Sequence, residues 1–220
     1  HQLVPERTEL RRVLVFFGGV DPGNLTGQAL EALMDPALNH LAVDVVLGRQ
    51  SPHRQEIADL VAQRPFTILH APLPSLAGLI ARADLAIGAG GSTSWERIAL
   101  RLPALVVTFG WDQAPIAKAL DKLGTIQLLG DKETVSVEHI RAALIAKVAS
   151  FSAGREEPHV LTDGFGAPRV ATAMLGIQGA ISLRPAVAGD ESLLLRWVND
   201  PQVRASSFSP DLIARSDHHN

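Results

Sequence analysis

Between residues 12 and 148 short apolar runs alternate with amphipathic stretches, and no other feature of the chain restricts its fold as much. Arg12–Phe17, Val43–Leu47, Phe66–Leu69, Leu85–Gly88, Ala104–Thr108 and Thr125–Leu129 are the compact apolar runs. Asn24–Met34 separates the first two and places Leu25, Ala29, Leu30 and Leu33 at helical spacing. Further helical segments follow at Arg54–Gln63, Ala77–Arg82, Thr93–Leu100, Pro115–Leu123 and Val137–Val148. Strands alternating with helices of this length predict βαβ units, and hence an α/β domain with a Rossmann-like parallel sheet and helices on both faces. Ligands of such sheets sit outside the carboxyl ends of the strands, so the loops after Phe17, Leu69, Gly88 and Thr108 are the places to look.

Beyond the alternating region, Ser150–Pro158 is polar and reads as a connector. Ala167–Leu175 has the pattern of a short helix. A new pattern starts with a strand-like Ile181–Arg184, a helix over Asp190–Val198 and a polar tail. So short a segment cannot close a core by itself. The expected organisation is one domain over residues 1–178 and the beginning of a second over 179–220. The chain opens on His1 rather than Met, which reads as a cut or processed end.

Composition narrows the partners. With 46% hydrophobic and 20% charged residues, the chain is an ordinary globular protein. A net charge of −3 without a basic run argues against nucleic acid and against a polybasic membrane surface. Phosphate ligands stay open, because backbone amides at helix starts bind anions without net positive charge. No apolar run approaches the roughly 20 residues of a membrane span, and no signal-peptide pattern opens the chain. The absence of cysteine excludes disulfides and thiol nucleophiles and is compatible with a reducing cytoplasm, the expected location. No metal and no cofactor is expected: His218 and His219 lack partners at ligand spacing. Glu156 and Glu157 read as solvated surface in the connector rather than as paired glycosidase carboxylates.

Gly88-Ala-Gly-Gly-Ser-Thr-Ser-Trp-Glu96 is the most informative stretch. Glycines after a buried strand let backbone amides approach a ligand, and the following helix offers unpaired N–H groups to phosphate oxygens. Ser92 and Thr93 add hydroxyls there. A capped turn is the competing reading, since Thr93-x-x-Glu96 has capping-box spacing. Spacing alone leaves both open. The stretch lacks the third glycine of a dinucleotide fingerprint, the Lys of a phosphate loop and the closing glycine of a nucleophile elbow.

Gly18-Gly-Val-Asp-Pro-Gly-Asn-Leu-Thr26 is a second glycine-rich turn. It could face a pyrophosphate or sugar across a cleft, or Asp21 or Asn24 could simply cap the helix. His70-Ala-Pro-Leu73 could clasp a flat base through its backbone. The His70 side chain itself carries little weight. Asp112-Gln113 either caps a helix or offers an amide and a carboxylate to sugar hydroxyls, and a packing role is expected for Trp111.

Taken together, Phe16-Phe-Gly-Gly-x-Asp21-Pro22-x-Asn24-x-Thr26, Ala83–Glu96, Asp112-Gln113 and Asp163-Gly164-x-Gly166-Ala167-x-Arg169-Val170 resemble the C-terminal domain of a GT-B-type UDP-sugar enzyme. The likeness is to the UDP-sugar hydrolases of pseudaminic acid biosynthesis and the related spore-coat polysaccharide proteins. It covers roughly residues 10–178. Gly90–Glu96 is also similar to the glycine-rich loop and Glu of the lipid-linked GlcNAc transferases of peptidoglycan synthesis.

The resemblance implies a UDP-sugar ligand. Backbone near Leu73 would contact uracil, while Gly91, Ser92 and Thr93 would hold the diphosphate. Glu96 would take the ribose hydroxyls, Gln113 the sugar, and Gly19 and Asn24 the pyrophosphate or sugar. The hydrolase histidine of that family lies in a Gly-x-Gly-His stretch of an N-terminal domain, and no such stretch occurs here. The expectation is therefore UDP binding without turnover, no catalytic residue in this chain, and a partner domain outside it. A GlcNAc-type glycosyltransferase and a non-catalytic sugar-nucleotide module are the alternatives.

Leu183-Arg-Pro-Ala186, Asp190, Leu194, Trp197, Asn199-Asp-Pro201 and Val203-Arg204 resemble the start of a GNAT-type N-acetyltransferase. That family's acetyl-CoA pyrophosphate loop lies further on, so acetyl-CoA would be a ligand only of a complete domain.

Overall fold

A computed structural model describes residues 7–151, 161–175, 184, 186–205 and 212–214. The chain divides into two compact units, His1–Ala167 and Pro168–Asn220.

Unit one holds a six-stranded sheet, all parallel, in the order β3-β2-β1-β4-β5-β6. The strands are β1 (Arg12–Phe16), β2 (Ala42–Val46), β3 (Thr67–His70), β4 (Leu85–Ala89), β5 (Ala104–Thr108) and β6 (Gln127–Asp131). The helices are α1 (Leu25–Leu33), α2 (Arg54–Gln63), α3 (Ala77–Arg82), α4 (Thr93–Ala99), α5 (Ala114–Lys122) and α6 (Val137–Phe151). Burial on both faces is why the inner strands read as unbroken apolar runs rather than alternating ones. All of β5, and Leu85–Gly88 of β4, are buried.

Successive strand residues point to opposite faces, which splits the core in two. Val13, Val15, Val43, Val45, Ile87 and Val107 pack with Leu30 and Leu33 of α1, Ile57 of α2 and Leu144 of α6. Leu14, Ala86, Ala104 and Val106 pack with Ile80 of α3, Ile98 of α4 and Leu120 of α5. Each fully buried Leu or Ile contributes about 1.5–3 kcal/mol through burial.

The order of the strands creates the site. β1 pairs with β4, Phe16 opposite Gly88, while their chains continue to opposite sides of the sheet. The loops after β1 and β4 therefore part and leave a crevice between them. The strands touch closely at that point, because a Cβ on Gly88 would collide with the Phe16 carbonyl oxygen.

The sequence places β6 two residues early: Thr125 closes the turn after α5, its amide bonded to the Leu120 carbonyl, and pairing begins at Gln127. α6 runs through Phe151, so Ser150 and Phe151 belong to a helix rather than to the connector. The rest of the connector with Glu156–Glu157, the strand residues Ile181–Leu183, and His218–His219 lie outside the described residues.

Unit two contains α8 (Glu191–Val198) and α9 (Pro201–Ala205), and most of α7 (Gly166–Leu175) falls within it. Asp190 accepts from both terminal nitrogens of Arg184 at 2.7 Å and from the Val187 amide at 2.9 Å. Asn199 exchanges two hydrogen bonds with the Ile213 backbone. Among the described residues no helix is long and apolar enough to cross a membrane.

Candidate functional site

Two glycine-rich turns flank the crevice, and their helix starts differ. At α1 the carboxylate of Asp21 accepts the amides of Leu25 (3.0 Å) and Thr26 (2.8 Å), and Asn24 Oδ1 accepts the Gly27 amide at 3.1 Å. Every donor of that first turn is consumed by the chain itself. Asn24 also donates through Nδ2 to Glu56 at 2.8 Å. Of the two readings of this turn, helix capping is the arrangement formed.

The start of α4 is the opposite case. The amides of Ser94 and Trp95 bond back to the carbonyls of Gly91 and Ser92, at 3.0 Å each. Those of Gly91, Ser92 and Thr93 have no acceptor among the described residues, and no side chain caps the helix. The capping-box reading fails because Thr93 is already the first helical residue. Ser92 holds the cap position, and Glu96 lies one residue beyond reciprocal reach. The Glu96 carboxylate is solvent-exposed and makes no hydrogen bond or ion pair among the described residues.

Two clefts meet at this loop, sharing Phe16 and Thr93. The larger, of about 640 Å³, is lined by Leu73–Ala77, Thr93, Trp95 and Glu96, with Thr162 and Gly164 at its rim. The smaller, of about 320 Å³, is lined by Gly18, Asp21, Gly91, Ser92, Thr93 and Gln113. The structure thus brings Leu73 and Glu96 to one cleft, Gly91, Ser92 and Gln113 to the other, and Thr93 to both. Gly19 and Asn24 line neither.

Gln113 is held in one orientation. Its Oε1 accepts the Phe109 amide at 3.1 Å, which settles which end of the carboxamide is oxygen and leaves Nε2 toward Gly91. Gly19 carries no spatial demand of its own. The crowding is at Gly48, where a Cβ would strike the Gly19 carbonyl.

His70 and Trp111 depart from their expected places. His70 Nε2 lies 2.7 Å from Asp44 Oδ1, so its ring belongs to a cluster in which Arg12 and Arg82 also donate to Asp44. Burial would raise the Asp44 pKa, but the bonds from His70, Arg82 and Arg12 and the charge of Arg82 outweigh it and hold the carboxyl below its ordinary value. Trp111 is 73% exposed instead of packed, because the turn into α5 carries it outward.

Sequence reasoning missed Ser94 and Arg97, both buried behind the glycine loop. Arg97 donates through Nη2 to the Ala89 carbonyl at 2.7 Å and to Ser94 Oγ at 2.9 Å. Burial lowers its pKa to about 10, against the opposing charge of Glu96. The signal was present: Ser94, Arg97 and Ile98 fall on one helical face, and that face is the buried one. Among the described residues no group of His, Asp and Glu could hold a metal ion.

No family model matches the chain. Among curated proteins it is 30% identical over 178 residues to the spore coat polysaccharide biosynthesis protein SpsG of Bacillus subtilis (strain 168), covering 77% of this chain and 51% of that protein. The chain spans about half the length of that relative. Among solved structures it is similar to Acinetobacter baumannii MurG, with a TM-score of 0.54 and 16% identity over 77% of this chain and 50% of that one. It is also similar to S. aureus MnaA, solved with UDP, with a TM-score of 0.59 and 15% identity over 81% and 48%.

The fold is that of a GT-B C-terminal domain. In this GT-B-type domain the free donors of the crevice, three backbone amides and the Gln113 Nε2, converge on the smaller cleft. The side chain of Glu96 lines the larger one. Chemically the pair suits a ligand with an anionic centre and a hydroxyl-bearing, flat end.

Proposed function

We propose that residues 1–178 are the nucleotide-sugar-binding half of a UDP-sugar hydrolase of surface-polysaccharide biosynthesis. The substrate class is a UDP-linked 2,4-diacetamido-2,4,6-trideoxy-hexose. The observation that carries this is the unconsumed row of amides at Gly91, Ser92 and Thr93, set between a donor side chain and a free carboxylate. These amides and the Ser92 and Thr93 hydroxyls take the diphosphate. Glu96 takes the ribose hydroxyls, the Leu73 loop the uracil, and Gln113 the sugar. Gly19 and Asn24, which line neither cleft, are assigned to the sugar side. The similarity to SpsG supports the polysaccharide setting.

Bond cleavage is assigned to a histidine base on a second domain outside these 220 residues, since the chain has no Gly-x-Gly-His stretch. Residues 179–220 are proposed as the start of an N-acetyltransferase domain.

Calorimetry with UDP tests the binding half directly. Glu96→Ala is expected to weaken UDP by about 1–3 kcal/mol, the cost of leaving buried ribose hydroxyls unpaired. Equal affinities would sink the ribose assignment.

The likeness to MurG favours a second reading, a UDP-sugar glycosyltransferase in which the same half holds the donor. Release of free sugar by the complete protein without any acceptor separates the two.

A further inference from the structure

Among the described residues three arginines are buried: Arg7, Arg64 and Arg97. A buried charge is costly unless it is compensated. Arg7 donates to the carbonyls of Ile80, Ala81, Ala83, Leu100 and Arg101, where α3 and α4 end and the backbone is electronegative. Arg64 does the same for Leu33 at the end of α1 and for Leu38 and Leu41 in the segment between α1 and β2.

Arg97 has no such nest. It holds one carbonyl and one hydroxyl, its buried Nε has no acceptor, and no carboxylate pairs with it among the described residues. Its Nη1 stands 2.8 Å from where a Cβ of Gly88 would lie. The guanidinium therefore occupies the space behind the end of β4, where the chain opens into the glycine loop. The carbonyl it holds, that of Ala89, is the last before the loop begins.

We propose that Arg97 is a positioning residue whose buried positive charge takes the phosphates of the ligand as its missing counter-charge, and so sets a preference for a diphosphate over a monophosphate and over the bare nucleoside. This rests on the nucleotide reading of the site. Arg97 does not touch the ligand. It acts through the Ala89 carbonyl, which fixes the point from which Gly91, Ser92 and Thr93 turn their amides to the cleft, and through its field, which solvent ions screen little at a buried position.

The test is calorimetry of uridine, UMP and UDP on the full chain, with Arg97→Met, Arg97→Lys and Ser94→Ala. Arg97→Met is expected to weaken UDP about tenfold or more, UMP less, and uridine by under twofold, because the lost interaction scales with ligand charge. Arg97→Lys, which keeps the charge, recovers most of the UDP affinity. Ser94→Ala removes one anchor and weakens UDP more than uridine, which gives a second arm if the Met variant does not fold. A merely structural role moves all three ligands by the same factor, and that result, or no change at all, overturns the proposal. If the wild type binds none of the three, the nucleotide reading falls and inorganic pyrophosphate becomes the probe. Pyrophosphate bound by wild type and lost in Arg97→Met keeps the role of Arg97, whereas no pyrophosphate binding removes it as well.

Discussion

Gln113 is oriented by Phe109: the Phe109 amide donates to Oε1 at 3.1 Å, and the opposite end of the carboxamide is left to the cleft as a donor. The bond turns a side chain with two interchangeable ends into one with a fixed polarity. Gln113→Glu keeps the acceptor and replaces the donor by a negative oxygen. Affinity for a complete UDP-sugar is expected to fall by about 1–3 kcal/mol with little change in melting temperature, measured by calorimetry and thermal denaturation. Unaltered UDP-sugar binding would remove Gln113 from the site.

Asp44 ties β2 to Arg12, His70 and Arg82 through a fully buried carboxylate. Its pKa is depressed in the fold. The stabilisation is thus complete above the ordinary carboxylate value of 3.8 and is lost as pH falls below it through the depressed value. Asp44→Asn is expected to cost about 3 kcal/mol near neutral pH, the low end for breaking a buried pair, because Arg12 and Arg82 regain water. Denaturant titrations between pH 2 and pH 7 should show the wild type losing that margin in acid and the variant lacking it throughout.

Asn24 divides two roles experimentally. Asn24→Ala removes the cap of α1 and is expected to lower stability by about 0.5–2 kcal/mol. UDP affinity should change less than twofold, since the carboxamide is committed to Gly27 and Glu56. A role at the sugar would show itself only with a complete UDP-sugar, as a loss that UDP alone does not report.

Gly48→Ala places a methyl against the Gly19 carbonyl. The first glycine turn must move or the strand end must bend, at a cost of about 1–3 kcal/mol, typical of overpacking. Chemical denaturation measures the cost. An unchanged midpoint would mean that the two backbones have more slack than their contact indicates.

The alternation of runs carried most of the fold into view, because burial on two faces writes itself into consecutive residues. β5 and helices α2 and α3 lie where their residues place them, and Gly88–Glu96 is at the switch point of the sheet. What spacing could not show was the partner of each polar side chain. Arg7 bonds to carbonyls 73 to 94 positions away, and Asp44 meets Arg82 from 38. Asp44 in the middle of an apolar run was a visible anomaly, yet its ion cluster exists only once β1, β3 and α3 are assembled. The Thr93–Glu96 spacing misled for a local reason: the helix begins one residue earlier than that capping box requires, with Ser92 at the cap, so the amides of Gly91, Ser92 and Thr93 stay open.

Asp21 and Asn24 shut the donors of α1, while the loop before α4 keeps its own exposed. The two banks of the crevice are therefore chemically unlike. A ligand that is itself lopsided, charged in the middle and flat at one end, has a single way to lie across it. That one-sidedness gives the cleft a reading direction, and a bond beyond the charged centre would always be presented toward the same bank.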